Sequence, residues 1–320
     1  IHMYVGTADQ VLSGEVHFAE GGGIYSYSSS YVTIKSTQFY QNVASDHGGA
    51  AFIFSANTVK NINNSYVRNS AGSGAAIYYD YDRLIKTTYC RVVGNQASVG
   101  DIINISALGK YKNKIFGIHT IYKCVVSKNL ANGGIIMVEG KKNIQPKGVL
   151  ANILFTHNRV YSGALFHLKY LKNEIISQSF FLNNRAKSLG GGVYLNRCNS
   201  VTISQCVFKF NIGANGGGLY SLKSKSLYMY KCAFINNTAL TYSGGVVCKQ
   251  GRNIIVKKII LISNQADFGS ALCMWQVVYG EISASYFTRN SAESSGGAAY
   301  IYEPISLLVK NTTFKSNHAV

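Results

Sequence analysis

The chain has 320 residues and a net charge of +18, with 31 lysines and arginines against 13 aspartates and glutamates. A basic surplus of this size attracts polyanions, and no apolar run approaches the roughly 18 residues of a membrane-spanning helix, so no transmembrane segment is expected. Glycine, asparagine, serine, valine, isoleucine and tyrosine dominate the composition, which favours short strands joined by tight turns.

A unit of 26–27 residues recurs along the chain, and its most regular member is an asparagine. These asparagines follow one another at spacings of 26 to 34 residues: Asn42, Asn69, Asn95, Asn129, Asn158, Asn184, Asn211, Asn237, Asn264, Asn290 and Asn317. A glycine-rich block accompanies each unit, and we align its second residue at Gly22, Gly49, Gly74, Gly100, Gly134, Gly163, Gly191, Gly217, Gly245, Ser270 and Gly297. A fixed period of this size predicts a repeat architecture.

Each unit divides into three short extended segments, as at residues 48–55, 58–62 and 65–68. No segment has a sustained helical period. Three strands per unit predict an all-β fold, a right-handed parallel β-helix of about eleven coils. We expect residues 1–320 to form a single β-helix domain on the order of 50 Å long, a segment of a longer solenoid. Neither end has a polar cap, which favours contact with flanking coils or with copies of the chain.

The repeated positions have physical reasons. Identical asparagines stacked in successive coils can pass amide hydrogen bonds along the rod. The residue three before each asparagine is usually aromatic, as in Phe181 and Phe208, and we expect it to point into the core. An aliphatic residue after the glycines, such as Val193, Val247 or Leu272, is expected to stack on its counterparts.

Two units are longer than the others, through insertions near 107–117 and 141–148. Insertions in a repeat become loops that project from one side. Both are basic, so their lysines are candidate contacts for a polyanion: Lys110, Lys112, Lys114, Lys141, Lys142 and Lys147. The alternative is that the basic residues only solvate the outer wall of the rod.

The motifs resemble those of a known family. GGAA at 48–51 and 296–299, FKFN at 208–211 and FTRN at 287–290 are similar to the paired repeats of the polymorphic outer membrane proteins. Those are surface-exposed β-helical passengers of autotransporters. The resemblance implies a β-helix with a cell-surface adhesive or structural role, and it supplies no catalytic residues.

The cysteines fall at recurring positions. Three pairs are expected to meet on adjacent coils: Cys90 with Cys124, Cys206 with Cys232, and Cys248 with Cys273. Adjacent strands would bring their Cα atoms within disulfide range, whereas in-register parallel neighbours rarely meet the torsional requirement. Disulfides and buried thiols therefore both remain open, and the spacing predicts no metal site.

Few features point to catalysis. The acids are scattered, and we interpret their one close pair, Asp80 and Asp82 near Arg83, as a solvated turn. The histidines occupy unrelated positions, and no cofactor motif is present. Aromatic residues interleaved with arginine, which would indicate a nucleic-acid surface, are not evident, so no nucleic-acid partner is expected. Four sequons permit glycosylation, at Asn63, Asn104, Asn236 and Asn311.

Together these features predict a non-enzymatic extracellular or cell-surface rod with a structural or adhesive role, able to associate end to end into a fibre. The alternative is a β-helix that binds or cleaves acidic polysaccharide through its basic central coils. Copies of the chain, or acidic glycans, would be the partners.

Overall fold

The computed structural model describes the backbone of residues 2–4, 20–106, 110–111, 114–115, 117–140 and 147–320, and the side chains of 20–106, 117–140 and 147–320. In these residues the chain is all-β and winds into a parallel β-helix of ten to eleven coils. The fold class predicted from the repeat is confirmed. From the second coil on, however, the coils contribute to four parallel sheets rather than three, because a short extra strand follows each repeat asparagine after Asn42.

Sheet A contains the strand that follows each glycine block. Its parallel strands are Ile24–Tyr27, Ala51–Phe54, Ile77–Asp80, Ile103–Ser106, Ile136–Glu139, Phe166–Lys169, Val193–Asn196, Leu219–Leu222, Val246–Lys249, Leu272–Trp275 and Ala299–Tyr302. At the first coil, His2–Tyr4 pairs antiparallel with Ile24–Tyr27 and covers that edge of the sheet.

Sheet B contains the middle strand of each coil. Its strands are Tyr31–Lys35, Thr58–Ile62, Leu84–Thr88, Ile118–Tyr122, Lys147–Ala151, Glu174–Ser177, Ser200–Ser204, Ser226–Tyr230, Asn253–Lys257, Tyr279–Ser283 and Ser306–Lys310. Between sheets A and B, the first insertion includes a hairpin formed by Lys110–Tyr111 and Lys114–Ile115.

Sheet C contains the strand that carries the inward aromatic residue. Its strands are Gln38–Tyr40, Ser65–Val67, Arg91–Val93, Val125–Ser127, Leu154–Thr156, Phe180–Leu182, Val207–Lys209, Ala233–Ile235, Ile260–Ile262, Tyr286–Thr288 and Thr313–Lys315.

Sheet D contains the extra strand. Its strands are Ser70–Ala71, Gln96–Ala97, Leu130–Ala131, Arg159–Val160, Arg185–Ala186, Ile212–Asn215, Thr238–Tyr242, Gln265–Phe268, Ser291–Ser295 and His318–Ala319.

Single residues in left-handed backbone turn the chain between sheets B and C. One non-glycine residue per coil does this, with φ near 55° at Asn63 and near 52° at Lys231. Left-handed conformation is tolerated at one residue but not along a run, so each corner is confined to one position. The strands between the corners are therefore short and straight.

The core is a set of stacked columns. The rings of Phe181, Phe208 and Phe234 stack at 4.6 Å between neighbouring centroids, with interplanar angles of 2–3°. These rings are fully buried. Parallel offset stacking of this kind adds to the hydrophobic burial of each ring, so every coil contributes a layer to one continuous core.

The glycine alignment made from the sequence is partly wrong. In the structure, Gly74 lies three residues before its sheet A strand, Gly49 two before, and Gly245 one before. The register position that is nearly always glycine is the one three before the strand, where Gly216 has φ of 73° and Ser243 is the exception. Loops of variable length between sheets D and A hid this offset.

Candidate functional site

The structure brings the eleven repeat asparagines together in one hydrogen-bonded column. The Oδ1 atom of Asn184 accepts hydrogen bonds from the backbone nitrogen and the Nδ2 atom of Asn158, both at 3.1 Å. Its own Nδ2 donates to Asn211 Oδ1 at 3.0 Å and to the backbone oxygen of Phe155 at 3.2 Å. The same pattern links the column from Asn42 to Asn317. These amides hold coils together and are not free for a ligand.

All seven cysteines are buried thiols. Cys90 and Cys124 lie in register, with the backbone nitrogen of Cys90 donating to Cys124 Sγ at 3.4 Å. Cys206 and Cys232 occupy the same position on a later pair of adjacent coils, with Cys206 three coils beyond Cys124. Burial raises the pKa of Cys198 and Cys273 to about 12, so these thiols are neutral and poorly nucleophilic at neutral pH.

The expected pairing of Cys248 with Cys273 is wrong. Cys248 is in register with Met274, and Cys273 is in register with Val247. Successive strand residues point to opposite faces, so Cys248 lies in the main core while Cys273 belongs to a small cluster on the outer side of sheet A. For the same reason Val246, not Val247, is the stacked aliphatic residue of its coil.

The interpretation of Asp80 and Asp82 as a solvated pair is wrong for Asp82. Its side chain is fully buried, and its Oδ1 accepts a hydrogen bond from the backbone nitrogen of Ala56 at 2.6 Å. Burial raises the pKa of this carboxyl well above its usual value. Asp80 instead accepts a hydrogen bond from Ser106 Oγ at 3.2 Å. The two carboxyls therefore do not face a common substrate space.

One group with the chemistry of a cation site was not foreseen. Glu20, Asp46 and His47 come together at the first two coils, with ligand atoms within 4.8 Å of one another. His47 Nδ1 lies 3.1 Å from Asp46 Oδ2 and 3.6 Å from Glu20 Oε1. The nearby Glu20 carboxylate raises the pKa of His47, so ion pairs within the group account for its geometry.

The predicted polyanion contacts fall mainly outside the described side chains. Lys112, Lys141 and Lys142 lie outside the described residues. Lys110 and Lys114 are described only as backbone of the hairpin, in register with Ile115 and Tyr111 respectively. Lys147 is exposed at the start of a sheet B strand.

A basic depression lies elsewhere, on the outer face of sheet C near the third coil. It has a volume of about 400 Å³, and its charged lining residues are Arg68, Arg91 and Lys128. Tyr40 also lines it and accepts a hydrogen bond from Arg68 Nη1 at 3.3 Å. The lining residues include no acid, so this depression favours an anion.

Three of the four sequons have accessible asparagines. Asn63 and Asn311 are exposed at the corners between sheets B and C, and Asn236 is half-buried. Asn104 is the exception and corrects the prediction. It is buried, and its Nδ2 donates to Asp101 Oδ2 at 2.8 Å, so it cannot carry a glycan in the folded chain.

Comparisons with known proteins give one partial similarity. No protein-family model matches the chain, and no solved structure does. Over 166 residues the chain is 30% identical to "Metabotropic glutamate receptor-like protein R" of Dictyostelium discoideum. The aligned stretch covers 51% of this chain and 10% of that relative, so the chain matches about a tenth of its length. Among the described residues, no helix is long and apolar enough to cross a membrane.

Proposed function

We propose that the chain is a non-enzymatic structural and adhesive rod that works outside the cell or on its surface. The observation that carries this proposal is the difference between the inward side chains, which repeat from coil to coil, and the outward side chains, which vary. Side chains that repeat in register, such as Asn184 and Phe208, connect one coil to the next. The outer faces differ from coil to coil, so a stiff scaffold presents a different surface at each level.

The buried polar groups support the non-enzymatic part of the proposal. The acids and histidines that depart most from ordinary surface residues are used inside the fold: Asp82 binds the backbone at Ala56, and His119 binds Glu174. A hydrolase or lyase needs such groups on an accessible face, where they can reach a substrate.

The extracellular or cell-surface placement comes from the resemblance of the repeats. The exposed sequon asparagines Asn63 and Asn311 fit a glycosylated surface, and the described residues leave room for a glycan at both corners. The proposed localisation is tested by whether these asparagines carry glycans in the native protein.

Adhesion can be measured with beads coated with the 320-residue chain. We expect them to stay on cell monolayers, or on films of cellulose, chitin or polygalacturonate, at a shear that removes albumin-coated beads of equal density. Release at the same shear on every surface would contradict the adhesive role. New reducing ends in the same polysaccharides, above a heat-denatured control, would contradict the non-enzymatic role.

The second candidate function is binding of acidic polysaccharide, and the basic depression on sheet C favours it. Arg68, Arg91 and Lys128 are exposed and lie together on successive coils. Like charges this close repel one another unless an anion lies between them. A sugar chain that runs along the rod could place one carboxylate beside each of these three basic side chains and neutralise its charge.

This candidate is tested by the affinity for polygalacturonate at low and moderate salt. Replacing Arg68 and Arg91 by serine should weaken binding and flatten its salt dependence, because fewer ion pairs remain to be screened. Arg289→Ser is the matched control, since Arg289 occupies the same exposed corner position as Arg68, eight coils away. An equal loss of affinity per removed charge in the two variants would show that only net charge matters.

A further inference from the structure

The outer face of sheet A carries an aromatic cluster near the last coils. Trp275 and Tyr302 are the fourth residues of adjacent strands and lie in register. Tyr300 stands two residues before Tyr302, and Tyr242 and Phe268 reach the same place from the ends of sheet D strands. All five residues lie outside the main core of the rod. We call them the aromatic platform.

Ring contacts connect the platform. The centroid of Trp275 lies 4.4 Å from Tyr302, 5.7 Å from Tyr242 and 6.3 Å from Tyr300. Phe268 lies 6.0 Å from Tyr242 and 5.7 Å from Tyr300. Four of the rings are half-buried, and Tyr302 is 37% exposed. The rings thus support one another while part of their surface stays open to solvent.

The platform adjoins a closed part of the outer face of sheet A, against which Tyr242 and Tyr300 pack. At the seventh to ninth coils the second residues of the sheet A strands are Tyr194, Tyr220 and Val247, in the column that continues to Tyr300, and they are buried in a small outer cluster. There the side chains only fill the space under the loops. In the column of fourth residues, Asn196, Leu222 and Lys249 are followed by the partly exposed rings of Trp275 and Tyr302.

A polar rim borders the platform. Gln250, Gln276 and Glu303 each follow a sheet A strand by one residue and are exposed. Gln250 Nε2 donates to Gln276 Oε1 at 3.1 Å, and Gln276 Nε2 donates to Glu303 Oε2 at 2.9 Å. Lys249 Nζ lies 5.0 Å from the centre of the Trp275 ring. Amide, carboxylate and ammonium groups are thus held in place beside the rings.

We propose that the aromatic platform binds a β-linked chain of pyranose sugars with equatorial substituents, such as a glucan or an N-acetylglucosamine polymer. In such sugars the axial C–H bonds form two apolar faces that stack on aromatic rings, and the hydroxyl groups point outward from the edges. A site of aromatic rings with a few fixed polar groups matches this division. Because the rim holds both a lysine and a glutamate, it favours a neutral chain over a polyanion. The proposal names a ligand for the adhesive role and in that sense rests on it.

Trp275 gives the test a direct signal, because it is the only tryptophan in the chain. Titration of the 320-residue chain with cellohexaose or chitohexaose should shift its fluorescence in a saturable way. Tyr302→Ala should weaken the binding by about tenfold, the loss typical of an aromatic residue at the centre of a binding site. By calorimetry, Trp275→Ala should abolish binding, and Trp275→Phe should keep most of the affinity.

Tyr27→Ala is the matched control. Tyr27 is also the fourth residue of a sheet A strand, is 54% exposed and stacks on Phe54 at 5.1 Å, but it lies at the first coil. This variant should leave the Trp275 signal unchanged. Thermal unfolding of all variants checks that the fold survives.

Two results would overturn the proposal. One is a wild-type chain whose fluorescence and heat of mixing do not respond to either oligosaccharide. The other is a Trp275→Ala variant that folds and binds as tightly as the wild type. Retention of chain-coated beads on cell monolayers without any response to these sugars would reject the sugar site while leaving the adhesive role standing.

Discussion

His119 and Glu174 meet inside the rod although they lie two coils apart. The Nε2 atom of His119 is 3.0 Å from Glu174 Oε1, and both side chains are fully buried. Gly148 is in register between them on sheet B, and its missing side chain leaves the space in which they touch. The pair occupies an inward column that is otherwise mostly aliphatic, with Ile85 before it and Val201 after it.

Gly148→Ala should be strongly destabilising. A Cβ atom there would lie 1.9 Å from His119 Nε2 and 2.6 Å from Glu174 Oε2, so the pair must separate inside the core. We expect a loss of about 2–4 kcal/mol in the free energy of unfolding in urea, from overpacking and from the buried polar groups left without partners.

Gly280→Ala is the control for this prediction, because Gly280 occupies the same column. There the nearest atoms to a Cβ are the flexible Met274 Sδ at 3.0 Å and Leu307 Cδ1 at 3.2 Å. The expected cost is below about 1 kcal/mol. Equal costs at the two glycines would show that the His119–Glu174 contact does not depend on Gly148.

His167 should make the stability fall in acid. Burial, and then the charge of Lys169, lower the pKa of His167 to about 4, whereas an unfolded histidine titrates near 6.5. The folded chain therefore takes up this proton less readily than the unfolded chain. Stability is fully present above about pH 6.5 and falls towards pH 4, by up to about 3 kcal/mol. In urea unfolding, the free energy of unfolding of His167→Phe relative to the wild type should rise as the pH falls from 6.5 to 4.

Asp101 should make the stability change with pH in the opposite direction, which provides a check on the assignment for His167. Burial raises the pKa of Asp101 to about 6, so its stabilising proton is kept in acid and lost as the pH rises through 6. The free energy of unfolding of Asp101→Asn relative to the wild type should therefore fall as the pH falls. If the differences from the wild type were flat with pH for both variants, neither group would titrate as its burial requires.

At the scale of elements, the asparagine column is a side-chain connection that links every coil to the next. Removing one member, such as Asn184, breaks four hydrogen bonds: two from Asn158, one to Asn211 and one to the backbone oxygen of Phe155. The backbone nitrogen of buried Asn158 then loses its acceptor, whereas Asn158 Nδ2 and Asn211 Oδ1 each keep one other partner. Each unsatisfied buried group costs about 1–3 kcal/mol. Asn184→Ala should therefore lower the free energy of unfolding by several kcal/mol, measured in urea.

The neighbouring Asn183 is the control for the column. It is exposed and has φ of 54°, a conformation that glycine adopts without strain. Asn183→Gly should leave the stability almost unchanged or raise it slightly. A small effect at Asn184 would mean that the strand pairing of sheets C and D holds the coils together without the amides.

The sequence predicts those elements whose side chains recur at one register position. Asn184 and Phe208 recur with a constant offset between them, so their columns can be read from spacing alone. The glycines could not be aligned in this way, because the loop before sheet A varies in length and a shift of one residue exchanges the two faces of a strand. The wrong expectation that Cys248 pairs with Cys273 results from such a shift of one residue.

The buried polar contacts could not be predicted for a different reason. His119 and Glu174 have no counterparts of the same type in their column, and they touch across the intervening coil because that coil carries Gly148. Asp82 likewise binds Ala56, 26 residues earlier. No period marks such residues. These polar residues stand out only as exceptions in a column of aliphatic residues. That column can be recognised only when the register of sheet B is known. The platform around Trp275 also depends on contacts between strands of two sheets.

On the scale of the whole molecule, the eleventh coil of the 320-residue chain presents its inward face to solvent. Leu307, Val309 and Phe314 are 38%, 45% and 47% exposed, whereas Ile282 and Phe287, in register with the last two, are buried. At the other end, His2–Tyr4 covers the edge of sheet A. Unpaired strand edges and an open apolar face together favour association with another chain.

We therefore expect the 320-residue polypeptide to self-associate through the eleventh coil. In analytical ultracentrifugation its sedimentation coefficient should rise with concentration, and the double substitution Leu307→Lys and Val309→Lys should hold it at the monomer value, since buried charges oppose stacking of the open ends. Leu308→Lys is the matched control, because Leu308 is 39% exposed but points to the outer face of the same strand. If Leu308→Lys dissociates the assembly as well as the double variant does, the contact lies on the side of the rod. If the wild type stays monomeric at all concentrations, the inward face of the eleventh coil does not drive association of this polypeptide.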